Sequence, residues 1–327
     1  MQLASPSSAD ILHVPTLFGA WRYLKRFCFR HMTPKVTNTG RSATIKAPPM
    51  PRDARPVTRV SMEFLMRGVD ALTEFEANVL DALVILTLLH AELMGETRHP
   101  IPVRHIARLL DVPYETVRRR ARTLVVQGGC VAGEEGLVLP VGWQRRRPFL
   151  KLLRKLYIEG AHLLTDLASI GVAKRAVRTS RRQSAPDLDP DQMAIALAAA
   201  SLLLAGSRAL RRFWDDDLTR ALVFTAIWTA NVKHVTNTAP AANRGVLRDE
   251  QRLPVSRLAI SRSLRLPYET VRRHANRLVR QGLCEHRGRR ALVVPAQAHE
   301  RLALGAVITH RLVLDFVDQV RRSGINI

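Results

Sequence analysis

Two stretches of the chain carry nearly the same string of side chains. The first is VPYETVRRRARTLVVQGGC, Val112 to Cys130, and the second is LPYETVRRHANRLVRQGLC, Leu266 to Cys284; 13 of the 19 aligned positions are identical. On a wheel at about 100° per residue, Val117, Ala121, Leu124 and Val125 share one face of the first stretch. Val271, Ala275, Leu278 and Val279 share that face in the second. The opposite face carries Glu115, Arg119 and Arg122, flanked by Thr116, Arg118 and Thr123. Its counterpart carries Glu269, Arg273 and Asn276, flanked by Thr270, Arg272 and Arg277. The chemistry available to such a face is hydrogen bonding to flat polar edges. An Arg fork can bond guanine bidentately and an Asn amide can bond adenine, while Thr and Tyr hydroxyls reach phosphates or base edges. The major groove of a duplex, about 12 Å wide, admits one such helix.

An Arg row on a helix is also what a merely solvated face looks like. The setting favours the sharper reading, because each row follows a Pro-opened turn, precedes a hairpin and occurs twice. Glu115 and Glu269 keep two readings: a first-turn acid favoured by the helix dipole, or an acceptor for a cytosine amino group. Tyr114 and Tyr268 lie nearer the apolar face on the wheel and read either as packing residues or as phosphate contacts. Cys130 and Cys284 occupy equivalent strand starts and read as small core residues.

The elements that must hold these helices follow from periodicity and punctuation. Similarity extends outward from the matched stretches. Ala82-Leu83-Val84 matches Ala221-Leu222-Val223, and Leu65 to Phe75 loosely matches Leu203 to Phe213. Ile101-Pro102-Val103 is aligned with Leu253-Pro254-Val255. A repeat of about 62–172 and 200–325 results, each copy reading helix, helix, turn, helix, hairpin, helix. The first helix falls near Phe75 to Met94 or Asp216 to Val235. The second follows Pro102 or Pro254, a residue favoured at a first helical position. The third opens at Pro113 or Pro267 and stops near Gly128 or Gly282. The hairpins turn at Gly133-Glu134-Glu135-Gly136 and at His286-Arg287-Gly288-Arg289-Arg290. The first tip is acidic; Arg287, Arg289 and Arg290 make the second basic and suited to phosphate. Met193 to Ala205 reads as a buried helix, and Thr236 to Arg252 as a polar loop inserted into the second copy.

These residues resemble winged helix-turn-helix transcriptional regulators of the broad GntR, MarR and IclR kind. The resemblance rests on Ile101-Pro102, Ile106-Ala107, Val112, Thr116-Val117-Arg118, Leu124 and Gly128. In the second copy it rests on Leu253-Pro254, Leu258-Ala259, Leu266, Thr270-Val271-Arg272, Leu278 and Gly282. It covers roughly 40 residues per copy, a short module. It implies contact with double-stranded DNA through Tyr114 to Arg122 and Tyr268 to Arg277. Pro113 and Pro267 depart from the pattern, standing where those families often have Ser. Two copies in one chain is a further departure.

Composition agrees with an anionic partner. The chain has 327 residues with 51 basic and 28 acidic, net +23, and 44 of the 51 are Arg. A surface this basic favours nucleic acid or an anionic membrane. The three cysteines cannot build a disulfide scaffold at this length. No His/Cys cluster has zinc spacing, no Gly-rich phosphate loop is present, and no Ser/His/Asp order has supporting context. The expectation is therefore a protein that is not an enzyme, has no catalytic or metal site and takes no cofactor. No apolar run reaches the roughly 18 residues of a membrane span, so no membrane insertion is expected. Residues 1–60 hold ten Lys/Arg, two acids and seven prolines and read as a basic disordered arm. Within it, Leu17 to Met32 has alternative readings as a DNA-contacting, membrane-surface or transit segment.

The expected fold class is mainly α with small β-hairpin wings: two winged helix-turn-helix modules in an internal duplication. The expected divisions are a basic arm (1–60), a first module (61–173), a linker (174–192) and a second module (193–327). Leu304, Val307, Ile308, Leu314 and Val317 of the last helix are too many for one small module to cover. The copies are expected to pack as an intramolecular pseudo-dimer through such flanking helices, with a homodimer as a further arrangement. The expected function is a cytoplasmic, nucleoid-associated regulator of transcription. It would read two unlike half-sites, because Arg120/His274, Arg122/Asn276 and Thr123/Arg277 differ. The alternatives are a plasmid-type replication initiator with paired winged-helix domains and a non-specific architectural DNA-binding protein.

Overall fold

The computed structural model describes residues 50–95, 100–176, 188–238, 245–288 and 291–327. Most of the basic arm, Leu17 to Met32 included, lies outside them. The described part is mainly helical with small antiparallel sheets. The elements are α1 (Ala54–Phe75), α2 (Val79–Leu93), α3 (Val103–Leu110), α4 (Tyr114–Val126), β1 (Val131–Ala132), β2 (Leu137–Val138) and α5 (Arg147–Ser169). They continue with α6 (Pro190–Phe213), α7 (Leu218–Thr238), β3 (Val255–Ser256), α8 (Arg257–Leu264), α9 (Tyr268–Arg280), β4 (Glu285–Arg287), β5 (Ala291–Val293), α10 (Ala298–Arg301) and α11 (Ala303–Arg322). Short 3₁₀ turns stand at Trp143–Arg145 and Asp249–Gln251.

Local chemistry explains the ends. The Asn78 side chain caps α2, accepting from the amides of Leu80 at 2.9 Å and Asp81 at 3.3 Å. Asp189 and Gln192 form a reciprocal capping box at the start of α6, which leaves no orphan donor there. Pro113 and Pro267 precede α4 and α9 with φ near −52° and −54°, where a missing N–H costs nothing. Gly128 and Gly282 end these helices at φ 73° and 66°, a conformation that is easy without a Cβ.

Three sequence expectations are corrected. Residues 54–60, assigned to the arm, are the first turns of α1, where Ala54, Val57 and Val60 are fully buried; apolar spacing outweighs the Arg residues between them. The helix after the linker begins at Pro190, ahead of Met193, because Asp189 caps it. The third correction concerns register. Ile101 bridges to Leu137, and its counterpart is Val255, which pairs with Leu292. Leu253-Pro254 therefore lies two residues too early, and α8 opens on Ser256, whose hydroxyl accepts from the Ala259 amide at 3.1 Å. Ile260, Ser261 and Leu264 are its buried face, as Ile106, Ala107 and Leu110 are for α3. Leu258 and Ala259 are exposed instead.

Packing between the halves is reciprocal. α5 lies against α6, and α1 against α11; α1 also packs on α7, and α6 on α2. Close approach makes these contacts possible. A Cβ on Gly68 would stand 2.4 Å from a Leu203 methyl, and one on Gly160 would stand 2.9 Å from Ile195. α6 is the one described helix long and apolar enough to cross a membrane. Ile195, Ala196, Ala199 and Leu203 along it are buried in the shared core. Cys130 and Cys284 are core residues at 1% exposure. Burial pushes their thiols up to about 11 and about 12, so both stay protonated.

Candidate nucleic-acid interface

α4 and α9 are held from behind by the same three positions. Val117, Ala121 and Leu124 bury to 4% or less, and Val271, Ala275 and Leu278 are fully buried. Each large one of these is worth roughly 1.5–3 kcal/mol on burial, which fixes how the helix is rotated. The face turned outward is then a consequence, and it carries Glu115, Arg119 and Arg122 in α4 and Glu269 and Arg273 in α9, all exposed. Val125 and Val279 sit half-buried at the edge.

The cations divide by what they touch. Arg119, Arg122 and Arg273 have no side-chain hydrogen bond or ion pair among the described residues, and their forks are free. Arg118 is held by Glu115, with Nη2 to Oε2 at 2.7 Å, and Arg272 by Glu269 at 2.6 Å. The hydrogen bonds from Arg272 also hold the Glu269 carboxyl below its usual range and raise the guanidinium. Both acids therefore serve their own helix and are already bonded to a neighbour one turn on. Thr116 and Thr270 are half-buried. Tyr114 and Tyr268 are 41% and 47% exposed, so they are not packing residues. The Arg104 guanidinium stands 5.7 Å from the Tyr114 ring centre.

Two positions read as differing half-site readers turn out to hold the helices. Arg120 reaches back to Asp81 of α2 at 3.3 Å. His274, its counterpart, faces Asp217 at 3.7 Å, which also lies 4.0 Å from Arg277. Asp81 is 3% exposed, and its burial raises its pKa against the pull of Arg120. Asn276 is half-buried, and its Oδ1 already accepts from Arg257 Nη2 at 3.1 Å. The same Arg257 nitrogen lies 3.4 Å from His286 of β4, so Asn276 is tied to the hairpin. Bidentate contact with adenine would require Arg257 to let go.

Arg287 is exposed on β4; Arg289 and Arg290 lie outside the described residues. Glu134 and Glu135 are exposed at the first tip. Sequence reasoning missed two parts of this surface, while Arg146, one of three Arg (145–147) just after the acidic first tip, reads there as partly compensating for it. Arg104 and Arg108 on α3 and Arg262 on α8 are exposed. Arg146 donates to the Gly128 carbonyl at 3.3 Å. A shallow concavity is lined by Arg273, His274, Arg277, Arg280 and Gln281. Counting Arg at every position of the short helices, and not only of the matched ones, would have found the first group.

The second hairpin has an anchor of its own. Asn231 of α7 is fully buried. Its amide donates to the carbonyls of Leu253 at 2.7 Å and Leu292 at 3.2 Å, and its Oδ1 accepts from the Val294 amide at 2.9 Å. One side chain thereby bonds three backbone groups around β3 and β5. Compared with protein-family models, with curated proteins and with solved structures, the chain finds no match in any of the three.

Proposed function

We propose that the chain binds double-stranded DNA through two winged helix-turn-helix modules arising from an internal duplication, and that it regulates transcription. The modules would be joined as an intramolecular pseudo-dimer by α1, α5, α6 and α11. The observation that carries the reading is the shared state of Arg119 and Arg273. They stand at the same place in two nearly identical helices, exposed, with unengaged forks, on faces set by three buried residues. The reciprocal contacts of α5 with α6 and α11 with α1 are what a two-fold arrangement requires, since in an isologous interface each contact occurs twice.

Two roles follow from the pairing pattern. Arg119, Arg122 and Arg273 read base edges; Arg118, Arg272, Arg277 and Arg287, with the exposed Arg of α3 and α8, neutralise phosphates. Two readers on one face of a duplex imply half-site centres about 10 bp apart.

Selection of bound duplexes from a random pool tests this. Wild type is expected to select two unlike half-sites. Arg119→Ala and Arg273→Ala are each expected to cost about 1–3 kcal/mol and to relax preference at one position. Weaker binding with no change of preference, and a steep salt dependence alone, is the outcome of a non-specific architectural protein. Iterated selected sites clustered at a replication origin would point to an initiator.

A further inference from the structure

α4 and α9 match over their first turns and part company over their last. Thr123, Val126 and Gln127 of the first helix stand where Arg277, Arg280 and Gln281 stand in the second. Arg273, Arg277 and Arg280 recur at i, i+4 and i+7, so at about 100° per residue they fall within about 60° of one another. They form a row along one flank of α9 and line the shallow concavity beside His274. A rise of about 1.5 Å per residue spreads the row over about 10 Å. One strand of a duplex sets a phosphate about every 3.4 Å along the axis, so the row spans about three of them.

Acids do not balance this row. Arg273 and Arg280 are exposed, with no side-chain hydrogen bond or ion pair among the described residues. Arg277 is 52% exposed, and the carboxylate it meets, Asp217, is 4.0 Å away. Asp217 already serves α7: Oδ1 accepts from the Arg220 amide at 2.9 Å, and Oδ2 lies 3.8 Å from the Arg220 side chain. His274 also faces Asp217 at 3.7 Å, but burial lowers its pKa, so at neutral pH it adds no cation. In α4 the unengaged cations are Arg119 and Arg122, and no other follows before the helix ends. Arg120 is turned onto Asp81. Val126 is 88% exposed, an apolar side chain at the place where Arg280 offers a fork. Arg146, beyond the helix, is turned back onto the Gly128 carbonyl. The hairpins differ in the same sense, with Glu134 and Glu135 exposed on the first and Arg287 on the second.

We propose that the two halves grip a duplex unequally. The second half is the anchor: Arg277 and Arg280 lie along the phosphates of one strand, beside the groove that Arg273 enters. The first half adds base contacts with little hold on the backbone. Charge complementarity names the partner, since a guanidinium fork gives a phosphate two parallel N–H bonds. The inference rests on the DNA reading above and extends it, giving Arg280 a role and the two halves different ones. Phosphate contacts fix register without carrying sequence, so loss of the row weakens binding to all sequences alike.

The test uses the full chain and a mixed-sequence duplex of about 30 bp, long enough for two half-sites about 10 bp apart. Binding is followed by fluorescence anisotropy over a series of salt concentrations. Each phosphate contact adds about 0.9 to the slope of log affinity against log salt. Arg277→Gln with Arg280→Gln is expected to make the slope shallower by about 2. The base preference of selected duplexes and the urea midpoint are expected to stay at their wild-type values. Should Arg277→Gln disturb Asp217, Arg280→Gln by itself, which loses no contact among the described residues, is expected to remove about 1 from the slope. Thr123→Arg with Val126→Arg writes the row onto α4 and is expected to steepen the slope by about 2; no steepening would mean that the first half already holds its strand, against an unequal grip. An unchanged slope in a folded Arg277→Gln, Arg280→Gln protein that still binds duplex overturns the proposal and leaves the DNA reading standing. A changed base preference in that protein also overturns it, by making the two residues readers. If wild type binds no duplex even at low salt, the DNA reading itself fails and the grip with it.

Discussion

Asp111 and Arg265 occupy the same place in the two halves and bond across to the other half with opposite charge. Each ends its short helix in the left-handed region, at φ 57° and 52°. Asp111 accepts from Arg212 of α6, and its carbonyl accepts from Arg211. Arg265 donates to Asp70 of α1 at 3.0 Å. In the alignment of Leu65–Phe75 with Leu203–Phe213, Asp70 corresponds to Arg208. Arg208 itself donates to the Leu109 carbonyl at 3.3 Å, and the Asp111 carboxylate takes Arg212, one turn on, whose counterpart is Glu74. The charges at this place are reversed between the halves. Pairing two first halves would set Asp111 against Asp70, and pairing two second halves would set Arg265 against Arg208. In the proposed pseudo-dimer this makes the halves unlike partners and discourages a homodimer through the same surfaces, as like charges do elsewhere.

The two contacts should differ in weight. Arg265 and Asp70 are each 48% exposed, so Arg265→Gln is expected to cost less than about 1 kcal/mol. Asp111 is more enclosed, and the hydrogen bond from Arg212 holds its carboxyl below the usual range. Asp111→Arg is expected to cost about 2–3 kcal/mol in urea unfolding, with part recovered by adding Arg212→Asp. Strict additivity of the pair would show that the cross-contact carries no energy.

Asn231 gives a second prediction. Removing its amide leaves the Leu253 and Leu292 carbonyls and the Val294 amide without their buried partner, so Asn231→Ala is expected to cost about 2–4 kcal/mol. Hydrogen exchange should show the amides of β3 and β5 opening first, while β1 and β2 are unchanged. Uniform loss of protection across both hairpins would contradict a local anchor.

Arg120 and Arg119 are sequence neighbours with different fates, which separates folding from recognition. Arg120→Ala leaves Asp81 buried without its cation and is expected to cost about 2–4 kcal/mol of stability. Arg119→Ala is expected to stay within about 0.5 kcal/mol of wild type, since it loses no contact. Asp81→Asn combined with Arg120→Ala should recover part of the loss. Equal destabilisation by the two Arg variants would refute the assignment.

The contrast between these neighbours also shows what could be read from sequence. Period and punctuation placed α4 and α9, their buried Val, Ala and Leu, and their outward Arg, because a wheel and a Pro or Gly are local facts. Register in the second copy was not local: Pro254 drew the alignment, while the strand pairing of Val255 with Leu292 sets it. The fates of Arg120, Asn276 and Arg252 depend on residues tens of positions away. A polar string such as Asp249 to Arg252 carries no mark that its last member will be enclosed.

The last prediction concerns acid. His90 of α2 is 3% exposed and lies 2.7 Å from the Ser201 hydroxyl of α6. That hydroxyl donates to the Leu197 carbonyl, so it accepts from His90 Nε2–H. Burial lowers its pKa from 6.5 to about 4. The unfolded chain therefore takes up this proton first. The stability due to neutral His90 is complete above pH 6.5 and is lost as pH falls through the window down to about 4. The full shift corresponds to roughly 3 kcal/mol. His299, lowered to about 4 as well, titrates in the same window, so the single variant removes only part of the slope. Unfolding in urea at about pH 7 and about pH 4.5 should show His90→Gln losing about 2–3 kcal/mol less than wild type between the two conditions. Parallel losses in the two proteins would mean that the α2–α6 contact does not sense the proton.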